Sequence, residues 1–290
     1  MALTATVAAL LLAGAAPQIE SAEAISAASD RHERMTVPVH IGTAGPFDFL
    51  IDTGSQNTVI STMLAQRLAL PPDGEATVVS VAGREQRQTV TIDDLALGCR
   101  TYHGLVAPLL EARHIGADGI VGIDSLQDQR VLIDFAASRI VVGEARTLGG
   151  GDGFEIVVKA RRKAGQLIMA DAVIDRVRVA VVIDTGAQTS IGNRALHRAL
   201  ARRAASERVE LTSVTGQTLT ADVAEAGRLT MAGMEFTNVA LAFADSPAFA
   251  ALGLDRRPAL LLGMAQLRLL RRVAIDFPTR RILFDVPWEG

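Results

Sequence analysis

Cysteine is almost missing from this chain. Cys99 stands alone among 290 residues, so no internal disulfide can form and no cysteine cluster can hold a metal. What remains for it is the role of a small buried hydrophobe. Aromatic residues are scarce as well, 4 % of the chain with one Trp and one Tyr, which leaves little of the stacking surface that sugar sites recruit. The five histidines, His32, His40, His103, His114 and His197, show neither HExxH nor any other ligand spacing, so no metal and no cofactor is expected. A net charge of −3 and a pI near 6.0 supply no global basic field, which argues against nucleic acid or an anionic membrane as partner. Beyond the first twenty residues no uninterrupted apolar run reaches 18 residues, so no membrane span is expected after the leader.

Apolar residues, by contrast, make up 49 % of the chain, enough to bury one large core or, more naturally at this length, two of roughly 120 to 140 residues each. Residues 1–20, MALTATVAALLLAGAAPQIE, combine an apolar run too short to span a bilayer comfortably with small residues suited to cleavage near Ala15 or Ala16. They predict a signal peptide, and with it a periplasmic or secreted protein, although no Lys or Arg precedes the run. Residues 21–35 are expected to form a flexible N-terminal segment.

From there the chain is written twice. Phe49-Leu50-Ile51-Asp52-Thr53-Gly54 returns 132 residues later as Val181-Val182-Ile183-Asp184-Thr185-Gly186. Val78-Val79-Ser80-Val81-Ala82-Gly83 returns at 133 as Leu211-Thr212-Ser213-Val214-Thr215-Gly216. Ile120-Val121-Gly122 returns at 141 as Leu261-Leu262-Gly263, and Ile133-Asp134-Phe135 at 142 as Ile275-Asp276-Phe277. Four landmarks in one order, with offsets that drift by ten residues, indicate an internal duplication. The boundaries follow: a first lobe over 36–147, a glycine-rich linker over 148–153 and a second lobe over 154–290. Short runs rich in Val, Ile, Thr and Phe, bounded by turns, predict all-β lobes related by an approximate twofold axis. A short helix is expected after each DTG segment, capped by Ser61 or Thr62 and running to Leu70 in the first lobe, and capped by Asn193 over 194–206 in the second. Another pair is expected after Gly122 and Gly263.

With Asp and Thr near 5 % each and Gly near 7 %, a DTG triplet arises by chance in only a few chains of this length in a hundred, roughly. One such triplet after a strand reads as an ordinary turn; two at matched points of a repeat read as chemistry. The turn presents a carboxylate at the end of a buried strand. Its glycine lets backbone N–H groups approach that carboxylate, and its Thr offers a hydroxyl that can bond across to the other lobe. If Asp52 and Asp184 meet on the twofold axis they cannot both ionise cheaply and share a proton, the like-charge coupling known from aspartic proteases. Such a pair can activate a water towards an amide carbonyl with neither metal nor covalent intermediate.

This pattern, DTG after apolar residues, a glycine hairpin about thirty residues on, then apolar-apolar-Gly, resembles the retropepsin-like aspartic peptidases and covers nearly everything from Met35 onward. The resemblance implies that Asp52 and Asp184 are catalytic. It implies that Thr53, Gly54 and Ser55, with Thr185, Gly186 and Ala187, position them. Ala82, Gly83, Thr215 and Gly216 would mark flap-like hairpins, and Gly122 and Gly263 would occupy the loop crossing behind each aspartate. The short copies and the lack of cysteines set the chain apart from pepsins, as does the missing flap tyrosine. With both lobes in one chain a monomer can be complete. Ser55 faces Ala187 at the matched position, so the Ser55 hydroxyl is expected to donate to Asp52 and make the pair unequal. The substrate would be an extended peptide added as a strand beneath the hairpins; Arg84, Arg87 and Arg161-Arg162-Lys163 are read first as solvated turn faces, with favouring acidic flanks as the alternative. Two other readings use the same residues: an idle fold that binds peptides, and a glycoside hydrolase, which needs its carboxylates set apart and its sugars stacked on aromatics.

Overall fold

A computed structural model describes residues 24–26, 28–29, 35–144, 148, 154–200 and 207–286. The predicted signal peptide and the Gly149–Gly153 linker lie outside these residues, as does the end of the helix expected to reach Ser206. The first half runs β1 (Ala24–Ser26), β2 (Ala28–Ser29), β3 (Met35–Ile41), β4 (Ala44–Ile51), β5 (Val59–Ser61), α1 (Thr62–Arg67), β6 (Pro72–Val79), β7 (Arg84–Leu97), β8 (Arg100–Leu110), α2 (Ala112–Ile115), β9 (Gly119–Val121), α3 (Ile123–Leu126), β10 (Arg130–Asp134) and β11 (Arg139–Gly143). The second half follows with β12 (Ile156–Lys159), β13 (Arg161–Lys163), β14 (Gln166–Ile174), β15 (Val177–Ile183), β16 (Ile191–Asn193), α4 (Arg194–Ala199), β17 (Glu207–Thr212), β18 (Thr218–Met231), β19 (Met234–Ala244), α5 (Pro247–Ala251), β20 (Ala259–Leu262), α6 (Met264–Leu267), β21 (Arg272–Asp276) and β22 (Arg281–Asp285).

Each half builds one eight-stranded sheet, and the two share a strand order: β2-β3-β4-β9-β5-β8-β7-β6 and β13-β14-β15-β20-β16-β19-β18-β17. In each, the DTG strand lies parallel to the strand of the apolar-apolar-Gly run, β4 beside β9 and β15 beside β20. β9, β20 and the ends of β4 and β15 that lead into the turns are buried on both faces, with Phe49, Leu50 and Ile51 and then Val181, Val182 and Ile183 all at 3 % exposure or less. That is why they read as continuous apolar runs while the solvent-facing hairpin strands alternate. The fold is two-lobed and all-β, as expected.

A third sheet was not legible. Its order, β1-β11-β10-β21-β22-β12, draws strands from both halves, and β10 pairs antiparallel with β21 so that Arg130 stands opposite Asp276 and Asp134 opposite Arg272. Arg130 Nη2 meets Asp276 Oδ2 at 2.6 Å with both side chains buried. The equivalent Asp134 pairs instead with Arg139 at 3.3 Å, while Arg272 turns to Asp285 at 2.6 Å. Because the shared sheet joins the lobes, the largest apolar cluster runs from Val37 and Ile92 through Val131 and Ile133 to Val181 and Phe284. The largest core therefore spans both halves, with one smaller cluster in each half beside it.

Three smaller expectations change. The segment read as flexible contains β1, paired with β11, and β2, paired with β3. Cys99 is exposed, because the turn between β7 and β8 lifts it off the sheet. Helix α1 is capped by Ser61, whose Oγ accepts from Leu64 N, but stops at Arg67: Ala69 takes a positive φ of 51° and the following Pro71-Pro72 cannot continue a helix. Asn193 caps α4 by accepting from Leu196 N at 2.8 Å. The short helices after Gly122 and Gly263 form as α3 and α6, while α2 and α5 were not anticipated.

Candidate active site

Both aspartates emerge from buried strands and are held the same way. Asp52 N donates to Val121 O at 3.1 Å and Asp184 N to Leu262 O at 3.0 Å, so the parallel neighbour fixes where each strand ends. The turn then folds back on the side chain. Gly54 N and Ser55 N donate to Asp52 Oδ1 at 2.7 and 3.1 Å; Gly186 N and Ala187 N donate to Asp184 Oδ1, both at 3.1 Å. The two threonines cross the boundary between halves. Thr53 Oγ1 donates to Ile183 O at 2.9 Å and Thr185 Oγ1 to Ile51 O at 2.7 Å, while Thr53 N donates to Thr185 Oγ1 at 3.1 Å. These buried cross-bonds lock one turn onto the other.

The consequence is read from the glycines. A Cβ on Gly54 would stand 2.6 Å from Asp184 Oδ1, and one on Gly186 would overlap Asp52 Oδ2. Each turn thus gives up a side chain to make room for the other half's carboxyl, and the two carboxyls face each other across the boundary. Burial first, then the charge of Asp52, raises the pKa of Asp184 from 3.8 to about 8, against the pull of the Ala187 and Gly186 N–H groups. The pair therefore retains one proton at neutral pH. The pair is unequal, but not for the reason expected: the Ser55 hydroxyl donates to Asn57 O at 2.8 Å and only the Ser55 backbone serves Asp52. The asymmetry lies in burial, with Asp184 8 % exposed and Asp52 half-buried.

Gly122 and Gly263 sit behind these turns. Gly122 N donates to Thr58 Oγ1 at 3.2 Å and Gly263 N to Ser190 Oγ at 2.9 Å. The residues that follow, Ile123 and Met264, donate to Ser55 O and Ala187 O at 2.9 and 2.8 Å. The loop crossing thereby ties α3 and α6 to the active turns.

The predicted hairpins form and reach each other. In the first, Ser80 N donates to Gly83 O at 2.8 Å, and in the second Ser213 N donates to Gln217 O at 2.8 Å and Gly216 N to Ser213 O at 2.9 Å. Ala82 N closes on Ser80 Oγ at 3.3 Å, and Thr215 Oγ1 pairs with Ser213 Oγ at 2.8 Å. Two residues that the glycines overshadowed make the longest reach. Val81 packs against the second half's cluster of Val182, Ile191, Leu261 and Phe249, and Val214 against the first half's cluster of Leu50, Val59, Leu110, Ile115 and Ile120. Their matched spacing of 133 residues was the available signal. Arg87, read as a solvated turn charge or a contact for acidic flanks, joins Glu85 at 2.9 Å to Thr215 O at 2.9 Å and so ties hairpin to hairpin. Arg162 donates to Gln127 Oε1 at 2.8 Å. Gln166, which the sequence did not single out, donates through Nε2 to Gly54 O. Among the described residues no three His, Cys, Asp or Glu gather as a metal site would require, and no helix is long and apolar enough to cross a membrane.

Two lobes of like topology, each supplying an Asp-Thr-Gly turn to one buried carboxyl pair, define the architecture of an aspartic peptidase. The sequence profile of the aspartyl protease family matches residues 37–125 and 170–265, one turn in each segment. Together these segments make up more than half of the chain, which belongs to the aspartyl protease family and is of the two-lobed, retropepsin-like kind. No curated relative matches it.

Proposed function

We propose that this protein is an aspartic endopeptidase in which Asp52 and Asp184 activate a water against a peptide bond. The observation that carries the reading is geometric: Thr53 and Thr185 interlock the two Asp-Thr-Gly turns, and the place a Cβ would take on each turn's glycine lies against the other half's carboxyl. In the proposed reaction Asp52, as carboxylate, takes a proton from water while the water oxygen bonds to the scissile carbonyl carbon. Asp184 gives its proton to the carbonyl oxygen, so the tetrahedral centre forms without net charge. In the collapse Asp52 gives the proton it took from water to the amide nitrogen as the C–N bond breaks. A hydroxyl of the tetrahedral centre returns its proton to Asp184 as the new carboxylic acid forms, which restores the singly protonated pair. The peptide lies as an extended strand between turns and hairpins, held by main-chain hydrogen bonds. Because Val81 and Val214 cross to opposite halves, both hairpins must lift to admit it and close over it to exclude water.

Since one chain supplies both aspartates, the proposed active species is a monomer. The shared strand order and matched landmarks support descent by internal duplication, and the apolar leader supports export to the periplasm or beyond. The test is cleavage of a peptide library by the wild type and by Asp52→Asn and Asp184→Asn, with a statine-type inhibitor alongside. Wild-type cleavage that either substitution abolishes and the inhibitor blocks is expected; activity that survives either substitution would defeat the reading.

A further inference from the structure

Gln166 opens β14 one residue after a two-residue turn, Ala164-Gly165, in which both residues have positive φ, 47° and 82°. This is the signature of the tight type I′ hairpin loop. The turn is wedged against the other half, since a Cβ on Gly165 would lie 2.9 Å from Ile123 Cγ2 at the start of α3. So placed, the Gln166 side chain crosses the boundary and donates from Nε2 to Gly54 O. The residue is 6 % exposed, and Oε1 of the same carboxamide is buried with no hydrogen-bond partner.

The orientation of this amide follows from chemistry. A carbonyl oxygen only accepts, so the atom that faces Gly54 O must be the nitrogen, and the oxygen is the atom left over. A buried acceptor without a donor destabilises the fold that holds it, and such atoms in native structures call for an explanation. The surroundings offer one. Gly54 N holds Asp52 Oδ1 at 2.7 Å, and a Cβ on Gly54 would lie 2.6 Å from Asp184 Oδ1, so the orphan acceptor belongs to the immediate surroundings of the carboxyl pair. An extended peptide in that place presents a main-chain N–H at every residue, whatever its side chains.

We propose that Gln166 is a substrate-positioning residue: Nε2 stays on Gly54 O while Oε1 accepts a main-chain N–H of the bound peptide beside the scissile bond. The inference rests on the peptidase reading and deepens it. In the sequence the positions 132 and 133 residues earlier hold Arg34 and Glu33, neither of them a carboxamide, and a contact made from one half alone gives the peptide a direction.

A scan of ester substitutions tests it. In the best-cleaved peptide from the library, each amide N–H other than that of the scissile bond is replaced in turn by an ester oxygen, and kcat/KM is measured for wild type, Gln166→Leu and Gln166→Met, with the fold of each variant checked by circular dichroism. In the wild type one ester close to the scissile bond is expected to lower kcat/KM roughly tenfold. In both variants that single loss disappears while losses at other positions persist, and the all-amide peptide is cleaved about tenfold less well, mainly through KM. A role confined to folding would shift all peptides alike. Equal losses at every position in wild type and variants would overturn the proposal, as would a wild type that tolerates every ester, a result that needs no variant. A wild type that cleaves no peptide at all would overturn the peptidase reading and this inference with it, so the two failures are distinct.

Discussion

Replacing Asp184 with asparagine should stabilise the protein at neutral pH, by an amount that grows as the pH rises. In the folded chain burial and the neighbouring Asp52 raise the Asp184 carboxyl from 3.8 to about 8. Between these values the unfolded chain has released the proton and the folded chain still binds it, so folding loses stability as pH increases. Below 3.8 both states are protonated and nothing is lost; above about 8 both are ionised and the loss is complete. The slope within the window is at most about 1.4 kcal/mol per pH unit, which amounts to a ceiling of about 4 kcal/mol at pH 7. That is a large share of the net stability of an ordinary domain. Asparagine keeps the shape, its oxygen can accept from Gly186 N and Ala187 N, its amide can donate to Asp52, and it does not titrate. Urea unfolding of both proteins from pH 4 to pH 9 should give stabilities that nearly coincide at the acid end, diverge with the variant above the wild type, and run parallel beyond pH 8. Curves parallel from pH 4 to pH 8 would refute the reasoning, because Asp184 would then titrate as it does in the unfolded chain and the two carboxyls would not be pressed together.

Other expectations follow from the same geometry. Gly186→Ala introduces a Cβ that overlaps Asp52 Oδ2, and displacing the carboxylate by an ångström should lower kcat by about 100-fold, as single-turnover cleavage would report. Arg130→Met leaves the Asp276 charge buried without its partner and should destabilise the protein by about 3–5 kcal/mol, whereas the double change Arg130→Met with Asp276→Leu should recover most of that in the same unfolding assay. On the peptidase reading, kcat/KM should fall as pH rises through about 8, where Asp184 loses its proton. The profile of Ser55→Ala should keep that limb unchanged, since the Ser55 hydroxyl is engaged by Asn57 O.

How much of this was legible depends on how far apart the interacting residues lie in the chain. The Asp-Thr-Gly turns are local devices: each carboxylate is held by the N–H groups two and three residues on, so three letters suffice to announce them. The helix caps at Ser61 and Asn193 act within one turn of helix and were equally readable, and the hairpins announced themselves by glycine and by β-branched residues on either side. The Ser55 hydroxyl shows the limit even at short range. Its neighbour in sequence, Asp52, lost to Asn57 O, because a hydroxyl is free to rotate towards either acceptor and only the path of the loop decides.

The amino-acid sequence by itself determined two β-rich halves, a pair of aspartates at the ends of buried strands and a glycine after each, because these features are written in residues a few positions apart. Only the tertiary structure decided that β10 and β21 join the halves through a core that spans both and that each glycine's missing Cβ makes room for the opposite carboxyl. It alone placed Val81 and Val214 in each other's halves and brought Gln166 to Gly54. Those contacts join residues more than a hundred positions apart, where local preference carries no information. The raised pKa of Asp184 is of the same kind, since it is set by burial and by a charge from the other half of the chain.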